Sequence, residues 1–572
     1  MKKLNAIEKA SYINDRYKLY LKSSFRFEDS RLQTLFVDQL KKEDLMKGPY
    51  IDLNLPFERG KSIRQLIDEG VMSKLFFKLG NINFDRPLYA HQEEAIRNID
   101  SGRGAIVTTG TGSGKTECFL YPILNDILKD VEKGKNGVGV RAVFLYPMNA
   151  LVNDQMDRVR KILSVYPEIT FGFYTGDTQE KETSGFRKQL EKQLGCEIPE
   201  NELISREAIR ENPPHLLFTN YSMLEYLLIR PKDSMIFKPE LLDFWKFIVL
   251  DEAHTYHGAL GIELSMLMRR FTALSTKKPR FILTSATLGI KGKSEKDIVH
   301  FANNLTSSDF KEQDIIFSKR IPMKHSLLSY CISGADYLEL KHHIDDINIV
   351  KTISRKYMSV KNEVTKEIIY ELLVRDENVY TIYKELKDKC IPFKYLIKRF
   401  KSKLKDSELV ALIDLINYSE LDGIGIFDLK YHSFIRPLSG AFVTLGENPQ
   451  LSLKKTNIIN NRKAFELGNC KYCDTPYIMG RIYTNLDGIS YLYQNSEVDI
   501  YENYGGNKNM KMDYFLLSNK VIYEENSNFL EECVLCTKCG SIHEKSNLNS
   551  MSCDCEDKDK LKFENHNFIS GY

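Results

Sequence analysis

The segment Thr109-Gly110-Thr111-Gly112-Ser113-Gly114-Lys115-Thr116 restricts this chain more than any other. An apolar run, Ala105-Ile106-Val107, precedes it, and an apolar segment, Cys118-Phe119-Leu120-Tyr121-Pro122-Ile123-Leu124, follows. Strand, glycine loop and helix in that order make a nucleotide-binding P-loop. The glycines let the backbone curl until several N–H groups point inward at phosphate, and the helix N-terminus adds the positive end of its dipole. Thr109, Gly110, Thr111, Gly112, Ser113 and Gly114 then form the cradle. Lys115 is expected to reach the β- and γ-phosphates of ATP, and the Thr116 hydroxyl to ligate Mg²⁺. The first position is threonine, where the usual GxxxxGKT pattern has glycine.

A chain of 572 residues is too long for one core and suggests several domains. From about residue 85, short apolar runs alternate with amphipathic stretches. Ala142–Tyr146, 171–174, 215–219, Phe247–Leu250 and 281–284 read as buried strands. Such alternation predicts an α/β fold with a parallel sheet, whose functional residues sit just past the carboxyl ends of the strands. We therefore expect a RecA-like P-loop domain over 81–320. Residues 1–80 show helical spacing (Leu32, Leu35, Phe36, Leu40) and are expected to form an N-terminal helical region. Residues 321–465 read as a mostly helical insertion, and 466–572 as a cysteine-rich module.

Each expected strand end carries a distinctive group. Asp251-Glu252-Ala253-His254 follows one of them. There Asp251 would hold Mg²⁺ through water, Glu252 would orient or deprotonate the attacking water, and His254 would couple nucleotide state to the rest of the machine. Ser285 and Thr287 offer hydroxyls that link these carboxylates to neighbouring loops. Pro147, Asn149, Thr175, Gly176, Asp177, Thr219 and Asn220 offer amides and small polar groups suited to a sugar–phosphate backbone. Upstream, the Gln92 amide both donates and accepts, which suits an adenine edge equally with a buried helix cap.

These motifs, in this order, resemble the first RecA-like domain of superfamily 2 DEAD/DEAH-box helicases, where the loop form TGSGKT is familiar. The segments 145–155 and 219–225 are similar to the branch holding bacterial mitomycin-repair helicases and the large helicase subunits of Druantia- and DISARM-type phage-defence systems. The segment 432–442, followed by cysteine pairs, is similar to the interdomain region of those large proteins. The resemblance implies an ATP-dependent helicase or translocase that hydrolyses ATP and moves on nucleic acid, DNA in preference to RNA, in defence or repair, with further defence subunits as partners. An RNA helicase and an ATP-switched nucleic-acid scaffold are the alternatives. The resemblance also implies a second lobe with a QxxGRxGR arginine motif. No segment of the sequence has that form. The chain is therefore expected to hydrolyse ATP poorly alone and to need that lobe from another polypeptide or a longer parent.

Eleven cysteines are present, and seven of them fall within 470–572. In a reducing compartment such clustering points to zinc. Two sets compete: a ribbon joining Cys470 and Cys473 to Cys536 and Cys539, or a local site of Cys536, Cys539, Cys553 and Cys555. The net charge of only +3 does not advertise a nucleic-acid ligand, so any such surface must come from local placement. No membrane-length apolar run and no leader pattern are seen, and a cytoplasmic location is the expectation.

Overall fold

The computed structural model describes residues 6–494, 512–517, 530–544 and 563–569, apart from 111, 184, 276, 288, 290, 291, 447 and 486. For 6, 149–154, 512, 513, 530–534, 544 and 563–569 the description covers the backbone only. The chain divides into two compact units, Leu55–Lys324 and a second made of Met1–Asn54 with His325–Tyr572.

The Leu55–Lys324 unit is built on eight strands: β1 (Ala105–Thr108), β2 (Ala142–Tyr146), β3 (Phe171–Tyr174), β4 (Glu202–Leu203), β5 (Leu216–Asn220), β6 (Phe247–Leu250), β7 (Arg280–Ser285) and β8 (Ile315–Phe317). Their order across the sheet is β8-β1-β7-β6-β2-β5-β3-β4, and every neighbouring pair is parallel. Successive residues of a strand point to opposite faces, and the core divides accordingly. Ala105, Val107, Phe144, Tyr146 and Val249 join one apolar cluster. Ile106, Val143, Leu145, Ile248 and Leu250 join another. Both faces are thus covered by helices, which is why the strands read as continuous apolar runs. Because the sheet is wholly parallel, all its carboxyl ends lie along one edge. The registers keep them level: Thr108 lies opposite Ser285 and Phe317, and Leu250 opposite Leu283 and Leu145.

The other unit departs from the sequence reading at its N-terminus. Helices Ala6–Ser24 and Ser30–Lys42 are present as expected, but Met46–Asn54 is a strand. It pairs antiparallel with Asp428–Ile435 on one side and Ile391–Pro392 on the other. Partners more than 300 residues away supply this strand's hydrogen bonds, so no local periodicity announces it. Leu32, Phe36 and Leu40 pack with Val443, Phe465, Leu467 and Ile478 of a nine-stranded sheet that begins at Ala441. Six helices fall between Gly334 and Tyr418, in agreement with the helical texture read there.

Asp376 caps one of them, Glu377–Leu386. Its Oδ1 accepts from the Asn378 N–H at 3.0 Å and its Oδ2 accepts from the Tyr337 hydroxyl. Burial pushes the carboxyl up to about 7, although both hydrogen bonds favour the ionised form. The folded state therefore holds this proton more tightly than the unfolded chain, whose Asp titrates near ~3.9. The resulting stability is complete below ~pH 4 and is lost as pH rises to about 7. Asp376→Asn is expected to flatten the melting-temperature profile between those limits. At pH 8 it should gain about 1–3 kcal/mol relative to its effect at pH 4. Thermal melts across pH check this, and parallel profiles would refute it.

Candidate nucleotide site

The loop after β1 is held from three sides. The Thr109 N–H donates to the Ser285 carbonyl at 3.0 Å, tying it to β7. The Thr109 and Ser113 hydroxyls bond each other at 2.7 Å, and both residues are buried. The helix Ala90–Asp100, here α1, braces the far side. His91 Nε2 lies 2.8 Å from the Ser113 carbonyl. A carbonyl only accepts, so His91 carries its proton on Nε2. Burial lowers its basicity, which keeps the ring neutral. Gln92 donates from Nε2 to the Gly114 carbonyl at 3.1 Å and accepts from the Tyr89 N–H at 2.9 Å. The cap role weighed for Gln92 is therefore seen, and through it the residue also braces the loop.

Gly112 and Gly114 have φ of +74° and +69°, a region that other residues enter at a cost. A Cβ at Gly112 would meet nothing, whereas one at Gly114 would collide with Gln92 Nε2 and lie 2.8 Å from Glu117 Oε2. Gly114→Ala is expected to destabilise the unit by about 1–3 kcal/mol and to weaken nucleotide binding, with Gly112→Ala the milder. A melt and a fluorescent-nucleotide titration of both variants check the order. The loop opens onto helix α2, Lys115–Glu132, whose first N–H groups have no partner within the helix. Thr116 lies in that first turn; Thr111 falls outside the described residues.

The carboxylates arrive from β6. Asp251 is half-buried, and Oδ1 accepts from the Thr284 hydroxyl and from the Glu252 N–H at 3.0 Å. Burial raises its pKa, helped by the charge of Glu252 and opposed by Thr284 and Lys115. Glu252 adopts a left-handed conformation, φ 47° and ψ 48°, uncommon for a side chain of this kind. The turn aims its carboxylate back at the loop, where Lys115 Nζ donates to Oε1 at 2.6 Å. The second oxygen, Oε2, is buried with no hydrogen-bond partner. His254 Nδ1 lies 3.4 Å from it and 3.0 Å from the Ser285 hydroxyl, which accepts from the Thr287 N–H at 3.1 Å. Lys115, Asp251, Glu252, His254, Ser285 and Thr287 thus form one connected polar group around the loop, although they come from three strand ends.

The donor set fits magnesium-ATP. An ammonium and unpartnered helix N–H groups suit phosphate, a half-buried carboxylate suits a hydrated divalent ion, and an orphaned carboxylate oxygen is available to a water. Sequence reasoning missed Thr284, for which the run Thr284-Ser285-Ala286-Thr287 held the only signal. It also missed Phe57 and Arg320, which complete an aromatic wall beside Tyr89, a residue whose place before Gln92 suggests packing near the base. Phe57 lies 4.9 Å from Tyr89 and 5.2 Å from His91, and the Arg320 guanidinium stacks 3.4 Å above the Phe57 ring. Arg320 Nη2 lies 3.8 Å from where a Cβ on Gly110 would stand. Phe57 and Arg320 belong to no recognisable pattern, and only folding brings them to the loop.

Other strand ends are more mixed. Thr175 and Thr219 are fully buried and their hydroxyls are used internally, by the Asp177 N–H at 3.2 Å and the Tyr174 carbonyl at 2.6 Å. Through these bonds the two hydroxyls position the neighbouring residues. Gly176 and Asp177 are exposed. Asn220 caps the helix Tyr221–Ile229 by accepting from the Met223 N–H at 2.8 Å. Pro147 ends β2 at the same edge, and the Asn149 side chain lies outside the described residues.

The cysteine ribbon is not assembled. The turn carrying Cys470 and Cys473 follows the strand Phe465–Asn469, whereas the turn carrying Cys536 and Cys539 bonds Lys463, at the strand's other end. Among the described residues no group of three or more Cys, His, Asp or Glu side chains is placed to hold a metal ion. Cys553 and Cys555 lie outside the described residues.

A wholly parallel sheet with P-loop, acidic strand end and hydroxyl-bearing neighbour along one edge defines a RecA-like ATP-binding domain. Residues 89–294 match the DEAD/DEAH box helicase family, and the chain carries a domain of that family. It is 29% identical over 388 residues to the Druantia protein DruE of Escherichia coli, covering 51% of this chain and 21% of that protein. It is 28% identical over 205 residues to the ATP-dependent helicase YprA of Bacillus subtilis, covering 35% of this chain and 23% of that protein. The chain thus spans less than a quarter of the length of either relative. Among solved structures, the crystal structure of the DUF1998 helicase MrfA matches with a TM-score of 0.30 and 24% identity, over 47% of this chain and 38% of that one. No helix among the described residues is long and apolar enough to cross a membrane.

Proposed function

We propose that this chain is the ATP-binding lobe of a DNA helicase or translocase acting in phage defence or DNA repair, with a second RecA-like lobe supplied by another polypeptide or a longer parent. The observation that carries the reading is the Lys115–Glu252 ion pair at 2.6 Å. It joins the P-loop to the acidic strand end, so that a phosphate would compete with Glu252 for the lysine. Magnesium-ATP, when bound, supplies the phosphoanhydride and a divalent charge. Lys115 then leaves Glu252 for phosphate, and the freed carboxylate orients or deprotonates a water. Asp251 would hold the hydrated cation, and its hydrogen bond from Thr284 ties it to β7. His254, Ser285 and Thr287 carry the same change to the adjoining loops. The wall of Phe57, Tyr89 and Arg320 offers flat faces to the base.

DNA is favoured as the track by the resemblance to repair and defence helicases; among its relatives by structure, MrfA is a protein solved bound to DNA. The test is direct. A fluorescent ATP analogue should bind the chain and lose affinity on Lys115→Ala. Single-stranded DNA should stimulate turnover of the complemented enzyme more than RNA of matched length. Equal or stronger stimulation by RNA would replace the DNA reading. Unchanged biological activity of Glu252→Gln, which keeps ATP binding but loses turnover, would replace the motor with an ATP-switched scaffold.

A further inference from the structure

The whole chain carries a net charge of only +3, yet residues 384–405 hold nine Lys and Arg against two acidic residues. The structure shows where this excess goes. Within the stretch, helix Phe393–Phe400 is amphipathic: Phe393, Leu396 and Phe400 are buried. Lys394, Tyr395, Lys398 and Arg399 are exposed on the opposite side, and the following turn exposes Lys401, Lys403 and Lys405. Arg399 pairs with Glu385 at 3.1 Å. Lys394, Lys398, Lys401 and Lys403 make no ion pair among the described residues. The Tyr395 ring, 47% exposed, stands among these cations.

We propose that the outer face of helix Phe393–Phe400, with the turn after it, is a sequence-independent docking surface for a nucleic-acid backbone, outside the P-loop unit. Three features favour that occupant. Unpaired ammonium groups recur about once per ~5.4 Å helical turn, dense enough to meet a strand that carries a phosphate every ~3.4 Å. An exposed aromatic ring among cations is a stacking platform for an unpaired base. A membrane would need an apolar face to insert, and here that face is already buried against the unit's own core.

The next helix, Asp406–Tyr418, explains why the surface should not read sequence. The two helices are joined by the five residues 401–405, as in a helix–turn–helix, whose second helix reads bases from the major groove. In this chain Leu409, Val410, Ala411, Leu412, Ile413, Leu415 and Ile416 of that helix are all buried. It cannot enter a groove, which leaves backbone contact from the first helix and the turn.

The inference rests on the reading of the chain as a nucleic-acid motor, and its test separates the two. The full chain, without nucleotide, is titrated with a labelled single strand and a labelled duplex between about 50 and 200 mM salt. The variant Lys394→Ala/Lys398→Ala/Lys401→Ala/Lys403→Ala should bind the single strand at least about ten-fold more weakly. Its log K against log salt slope should be shallower by about 3, since each lost phosphate contact removes ~0.7. Binding of a fluorescent ATP analogue should not change. In the unaltered protein, the oligonucleotide should shield Lys394, Lys398 and Lys401 from acetylation, a readout independent of any mutation. Undiminished affinity and slope in the variant, or unshielded lysines, overturn the surface and leave the motor standing. A chain that binds no nucleic acid at all overturns both.

Discussion

Adding a second RecA-like lobe that carries a QxxGRxGR segment is expected to raise ATP turnover by about 10³–10⁵-fold, the contribution of an arginine finger in related phosphoryl transfer. In the proposed reading, Lys115, the α2 N–H groups and Asp251 would bind and polarise magnesium-ATP, and Glu252 would position water. Charge that develops on the transferred phosphoryl group in the transition state calls for a further cation from the opposite side. The sequence contains no segment of the form that supplies it. The chain alone should therefore bind ATP with ordinary affinity and turn it over slowly. A steady-state phosphate-release assay, with and without the complementing polypeptide and single-stranded DNA, measures the ratio. Turnover above several per second by the isolated chain would refute the split.

The second large effect is expected from Glu252→Gln in the complemented enzyme: a fall in kcat of about 10²–10⁴-fold with ATP affinity retained or improved. Glutamine keeps the size and the left-handed backbone at 252, so the loop's shape should survive. It loses the charge that holds Lys115 at 2.6 Å, which frees the lysine for phosphate. It also loses the basicity needed to orient or deprotonate water. Lys115→Ala should behave oppositely, weakening binding first, and it leaves the half-buried Glu252 carboxylate without its ion-pair partner. Comparing KM and kcat for the two variants separates the roles. Equal loss of affinity in both would mean that Glu252 serves the loop's structure alone.

How much of this was legible in the residues follows from what is local. The strand–loop–helix around Lys115 is contiguous, so glycine placement and flanking apolar runs announce it. Asp251 and Glu252 directly follow Phe247–Leu250, a strand buried on both faces and therefore a continuous apolar run. Ser285 and Thr287 follow β7 in the same way. Reading each motif at a strand end was enough to place all of them along one edge, because a parallel sheet has only one such edge.

The rest depended on contacts between distant parts of the chain. Met46–Asn54 became a strand because Asp428–Ile435 pairs with it. That the Thr175 and Thr219 hydroxyls are buried and bonded internally is likewise invisible in the sequence. The two cysteine turns share a spacing but stand at opposite ends of one strand. Phe57 and Arg320 meet beside the loop from opposite ends of their unit. The sequence by itself determined a glycine loop between strand and helix, an acidic pair and the strand ends that carry them, since each is encoded within a few adjacent residues. Only the tertiary structure decided which of these groups touch and which polar atoms are left for a ligand, because burial and long-range pairing are properties of the packed chain.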